Sequence, residues 1–169
     1  MITNLKPYPA YKDSGVPWLG QIPTQWGIAP LKYATCINAR VLPENTNLDY
    51  EFQYIDISSV ETGKLVTKPQ KLVFASAPSR ARRIVCQGDT LLSTVRTYLK
   101  AIYYVSEKAN DLIASTGFAV LTPGSSVNPK FVSYYVQSDP FTEQVTAHSV
   151  GIAYPAIAET RLGRFGIPL

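Results

Sequence analysis

Along this chain, short stretches of alternating apolar and polar residues come first, and helical spacing appears only late. In "FQYIDIS", residues 52–58, Phe52, Tyr54 and the isoleucines flank polar positions, which predicts a strand. "ETGKL" supplies a turn, with Gly63 where positive φ is easiest. "RRIVCQGDTLLSTV" sets a Gly88-Asp89 turn between two apolar runs, and "KAIYYVSE" predicts a neighbouring strand. "TGFAVLTP", residues 116–123, reads as another strand, closed by the Pro123-Gly124 turn. Helical grammar begins at "NPKFVSYYVQS", with Asn128 as N-cap and Pro129 at the first helical position. Phe131, Tyr134, Tyr135 and Val136 give that helix its apolar side. "DPFTEQVTAHSVG" repeats the pattern: Asp139 as cap, Pro140, Phe141 and Val145 four apart, and Gly151 as terminator. A short helical turn over 157–162 leads into an extended end. Strands first and helices after favour an α+β fold over a βαβ parallel sheet.

The first thirty residues break this pattern. They hold five of the thirteen prolines and read as an extended N-terminal arm, 1–30, before a body over 31–169. "YKDSGVPWLGQIPTQWG", residues 11–27, carries both tryptophans without either periodicity. Its Trp18, Leu19, Ile22 and Trp26 are expected to pin the arm to the body. Each such side chain, when buried, offsets ordering entropy by roughly 1.5–3 kcal/mol.

Composition narrows the class. A chain of 169 residues that is 46% apolar and 17% charged is expected to fold as one domain with its own core. No run approaches the roughly 18 apolar residues of a membrane span, and the start lacks the apolar stretch of a signal peptide. Cys36 and Cys86 lack the paired spacing of a zinc site or a disulfide framework, so a reduced, cytoplasmic protein is expected.

Charge changes the picture more. The net charge is +4, yet residues 60–108 hold nine basic and three acidic residues, a local +6. The remainder, with seven basic and nine acidic residues, carries −2. A local excess suits a polyanion, because condensed counterions are released where cations meet phosphates; it also suits a solvated face of a basic protein. Within this window Arg82, Arg83, Arg96 and Lys100 are the leading DNA-contact candidates. Arg80, Lys64, Lys68, Lys71, Thr94, Thr97 and Tyr98 support them. Arginine's planar fork fits both phosphate and the O6/N7 edge of guanine, and hydroxyls supplement phosphate contacts. If residues 80–83 form a strand, Arg80 and Arg82 share one face and Arg83 takes the other.

Catalytic groups are sparse. The one histidine, His148, falls inside the second helix, where a packed or surface role explains it. The glycines are scattered and form no phosphate loop, and no clustered ligands suggest a metal. "SDPF", residues 138–141, brushes against the motif of amino-methylating enzymes, but the helix cap accounts for it fully. No catalytic and no metal residue is assigned.

Taken together, four segments resemble the DNA-specificity (S) subunit of type I restriction–modification systems, specifically its first target recognition domain. They are "YKDSGVPWLGQIPTQWGIAPLKY", "RRIVCQGDTLLSTVR", "ASTGFAVLTP" and "GRFGIPL". The first is the most specific, because its residues are unusual in combination. The region between Ala34 and Pro78 carries little of the pattern. The resemblance implies a curled, mainly antiparallel sheet with a few helices toward the C-terminal half, and loops that enter the major groove. It implies a non-enzymatic role: sequence-specific reading of one half-site of double-stranded DNA. A methylation (M) subunit and a restriction (R) subunit would then methylate, translocate and cut, and S-adenosylmethionine, Mg and ATP would belong to them. The alternative is a protein-interaction or scaffold domain that docks the methylation subunit without reading DNA. The chain stops at Leu169, where the family would continue into its spacer helices and second recognition domain, so an isolated recognition domain is expected.

Overall fold

Alternation along the strands decides how the layers stack. The protein is described here by a computed structural model over residues 6–108 and 110–169. It opens with a hairpin of β1 (Tyr11–Asp13) and β2 (Gln21–Pro23), then β3 (Ile28–Pro30), a one-turn helix α1 (Leu31–Ala34) and β4 (Thr35–Ile37). β5 (Glu51–Ile55), a small hairpin of β6 (Val60–Glu61) and β7 (Lys64–Leu65), and β8 (Gln70–Val73) follow. Next come β9 (Ala81–Val85), β10 (Thr90–Ser93), β11 (Ile102–Tyr104), β12 (Leu112–Ser115) and β13 (Phe118–Pro123). The chain ends with helices α2 (Pro129–Gln137), α3 (Asp139–Ala147) and α4 (Glu159–Leu162), and strand β14 (Gly166–Pro168). Among the described residues every strand pair is antiparallel except β5 with β12. The α+β class with a mainly antiparallel sheet is therefore what the structure shows.

Two four-stranded sheets form the body, in the orders β11-β10-β13-β4 and β8-β5-β12-β9. Successive side chains of a strand point to opposite faces. Leu91, Phe118 and Val120 of the first sheet meet Ile55, Val85, Leu112 and Ala114 of the second. Their neighbours Leu92, Ala119 and Leu121 point the other way, into a core closed by Val132, Val136, Phe141 and Val145 of α2 and α3. On the outer face of the second sheet, Phe52, Tyr54, Ala81 and Ile113 form a third, smaller cluster with Phe74 and Ile84. The order is helices, sheet, sheet, aromatic outer face. Among the described residues no helix is long and apolar enough to cross a membrane.

Several boundaries differ from expectation. The strand expected over 52–58 ends at Ile55, because Asp56 caps a 3-10 turn over Ile57–Ser59. The Gly88-Asp89 turn, with Gly88 at φ 90, does not pair its flanking strands: β9 joins β12 in one sheet, while β10 joins β11 and β13 in the other. Asp89 is 1% exposed and serves as the rivet of this crossing. It accepts from the Cys86 amide at 2.8 Å, Arg40 Nη2 at 2.6 Å and the Thr122 hydroxyl at 2.8 Å. Asn128 caps α2 as expected, accepting from the amides of Lys130 and Phe131. For α3 the cap position falls on Ser138 and not on Asp139. Ser138 closes α2 at the same time, donating its hydroxyl to Tyr135 O, which leaves Asp139 as the first helical residue. α3 stops at Ala147, before Gly151, as Val150 turns to pair with Ala156. The last helical turn begins at Glu159, since Ile157 is still extended and donates to Thr94 O.

At the N-terminal side, residues 1–5 of the expected arm lie outside the described residues. The remainder docks against the helical layer. Ile22 is buried, and Trp26 meets Phe131 of α2 edge-on at 5.5 Å. Leu19 packs on the helical core, while Trp18 stays 38% exposed. β3 pairs with β14, joining the two ends of the described chain.

Candidate nucleic-acid interface

The ends of β5, β10 and β12 and the starts of β9 and β13 converge at one end of the sandwich. Backbone hydrogen bonds stitch their loops together: Thr116 N to Arg80 O at 2.8 Å, Thr94 N to Gly117 O at 2.8 Å, and Arg96 N to Pro155 O at 2.7 Å. Gly117 sits in the middle, where an added Cβ would lie 2.4 Å from Ile57 Cδ1 and 3.2 Å from Val95 Cγ2. The loops thus touch where glycine lacks a side chain, and they make one continuous rim.

Two arginines stand on this rim with their guanidinium groups held in place. Arg80 Nε donates to the Tyr54 hydroxyl at 3.2 Å and to Asp56 Oδ2 at 3.1 Å, while its Nη2 lies 3.0 Å from the same oxygen. The side chain is nonetheless 58% exposed. Burial alone would raise the Asp56 carboxyl, but the Ser58 amide, the Tyr54 and Ser58 hydroxyls and the Arg80 charge outweigh it and hold it below its usual value. Arg96 has φ 50, in the left-handed region that costs a side chain roughly 1–2 kcal/mol. Its guanidinium lies over the Tyr154 ring, 4.5 Å from the centroid. Exposed Tyr98 and Leu99 follow it in the 3-10 turn, and Val150, Ile152 and Tyr154 are exposed on the facing loop.

The other expected contacts are placed as follows. Arg82 falls at a bulge where β9 slips against β12, and its guanidinium covers the Phe74 ring at 4.8 Å on the outer face. Arg80 reaches the same outer-face cluster through Tyr54, whereas Arg83 turns the other way to Glu159 at 2.6 Å. Alternation separates Arg82 from Arg83, whereas Arg80 precedes the strand and the bulge, not alternation, leaves it on the same side as Arg82. Lys100 pairs with Asp139 at 2.9 Å, and Lys64 pairs with Glu61 at 3.0 Å. Lys68 is exposed beyond β7. Lys71 lines a cleft of about 490 Å³ beside Glu51 and Asp111, away from the rim. Thr94 and Thr97 are only 7% and 3% exposed, and their hydroxyls are engaged by Gly117 O and Ser149 Oγ. These two threonines face the protein interior, where they hold the rim together.

The structure thus brings Arg80, Arg82, Arg96 and Tyr98 to or beside the rim and ties Arg83, Lys100 and Lys64 into ion pairs. Sequence reasoning missed Asp56, Tyr54 and Tyr154, the groups that orient the rim arginines. Tyr154 is the one aromatic of "GIAYPAI" after α3, a stretch with no local pattern that points to Arg96.

Neither a protein-family profile nor a curated protein matches the chain. Solved structures do. One, concerning complex assembly and conformational transition of the type I restriction–modification system, is 32% identical with a TM-score of 0.78. The HsdS subunit of Thermoanaerobacter tengcongensis is 31% identical with a TM-score of 0.76. Both alignments cover 88% of this chain and 38% of the other, so the chain spans well under half the length of these relatives. The type I S subunit from M. genitalium, 13% identical with a TM-score of 0.53, shares the fold. By fold and by sequence, the chain belongs to the specificity-subunit family of type I restriction–modification systems, its likeness covering a domain-sized part of those relatives.

Proposed function

We propose that this domain reads a short stretch of double-stranded DNA, one half-site of a split target, for a type I restriction–modification complex. The observation that carries the reading is the rim: two arginines from separate loops, each oriented by protein groups, standing in the stretch that holds the local +6 charge. Oriented guanidinium forks give direction as well as charge, which base reading needs and a merely soluble surface does not. Arg80, Arg82, Arg96 and Tyr98 are the principal contacts. Lys64 and Lys68 supply charge nearby, and Lys71 is peripheral. Arg83 and Lys100 act first as struts, and Thr94 and Thr97 act as rim scaffold.

The domain itself carries out no chemistry in this reading. Methylation and cleavage belong to M and R subunits, with S-adenosylmethionine, Mg and ATP held there, and the complex works in the cytoplasm. Kinship with specificity subunits favours this over a scaffold that only docks the methylation subunit.

Fluorescence anisotropy with a mixed-sequence duplex tests the proposal. Affinity should fall as salt rises, and replacing Arg80 and Arg96 together by Glu should weaken binding by at least tenfold at low salt. Binding that ignores salt, or that survives the double reversal, would contradict it.

A further inference from the structure

Arg80 is held more closely than a charge-supplying residue needs to be. A guanidinium has five N–H donors in a rigid fork. Here Nε and one side of Nη2 are committed to Asp56 Oδ2, with Tyr54 sharing Nε. The carboxylate cannot swing freely. The Ser58 amide and hydroxyl donate to Oδ1 at 3.3 and 3.1 Å, and the buried Tyr54 donates to Oδ2 at 3.0 Å. The Arg80 backbone is fixed as well, its carbonyl accepting from Thr116 N. What remains is the far edge of the fork: both Nη1 hydrogens and the second on Nη2. A parallel pair of donors on that edge matches the O6 and N7 acceptors of guanine in the major groove.

We propose that Arg80 is a guanine-reading residue and that Asp56 is its positioning residue, fixing the fork without touching DNA. This rests on the DNA-reading function above and assigns it a base and a supporting group. The competing role for Arg80 is a phosphate contact, and the two roles predict opposite effects at Asp56. A carboxylate beside a phosphate-binding guanidinium opposes the phosphate, so removing its charge should raise affinity for every duplex alike. A guanine contact depends on orientation, so removing the anchor should cost discrimination at one base pair. Asp56→Asn suits the comparison because Asn caps a turn as well as Asp does.

The 169-residue chain, and its Asp56→Asn and Arg80→Lys variants, would each be incubated with a randomised duplex library and the bound fraction sequenced. The wild type should enrich a motif containing an invariant G·C pair. Both variants should lose about tenfold in preference at that pair, keep the rest of the motif and still unfold in one cooperative transition above the binding temperature. Full preference in both variants overturns the proposal. So does a uniform rise in affinity for Asp56→Asn, which would make Arg80 a phosphate clamp. If the wild type enriches no motif, the DNA-reading function itself fails, and this inference with it.

Discussion

Two aspartates show how single residues divide between holding the fold and shaping the rim. Asp89 is buried and saturated by a backbone amide, a guanidinium and a hydroxyl from three separate segments. Replacing it with Ala would strand those donors, and we expect a loss on the order of 3 kcal/mol in a urea unfolding titration. Asp56 sits on the rim with its carboxyl below the ordinary 3.8. A depressed carboxyl gives a contribution that is complete above the unfolded value and is lost as pH falls through the lower folded one. The stability difference between wild type and Asp56→Asn should therefore persist at pH 6 and disappear as pH is lowered below 3.8. A difference that grew with acid would show the carboxyl to be disfavoured in the fold. The rim arginines were legible as an arginine-rich stretch. Their partners were not, because Arg80 with Asp56 and Arg96 with Tyr154 meet across loops far apart in sequence.

Elements were legible where local chemistry decides them. Asn128-Pro129 started α2 as anticipated, since a side-chain oxygen and a fixed φ act within one turn. Local chemistry does not decide which sheet a strand joins. β9 and β10 flank a tight turn yet part company, because Asp89 and Arg40 lock the turn between layers. The N-terminal hairpin is the element whose role is easiest to isolate. Trp26 and Leu19 attach it to the helical layer, away from the rim, and Ile22 is buried. Trp26→Ala should lower stability by about 2 kcal/mol, the part-buried ring losing its packing on Phe131. Removing residues 1–26 should lower the melting temperature further while leaving DNA sequence preference in place. Lost preference in a folded truncation would mean that the hairpin belongs to the reading surface.

In the whole molecule, the helical layer carries the N-terminal hairpin, while the loop rim lies at one end of the stacked sheets. Strand alternation made the α+β class readable. The convergence of five strand ends into one rim was not readable, because it depends on long-range pairing. The central claim is that DNA meets this rim. Hydrogen–deuterium exchange of the chain with and without a duplex bearing its enriched motif tests it most directly. The account predicts DNA-dependent protection over residues 56–59, 78–82, 94–99, 115–117 and 150–156, with none over 11–30 or on α2. Protection centred on the N-terminal hairpin and α2, with the rim unchanged, would contradict it.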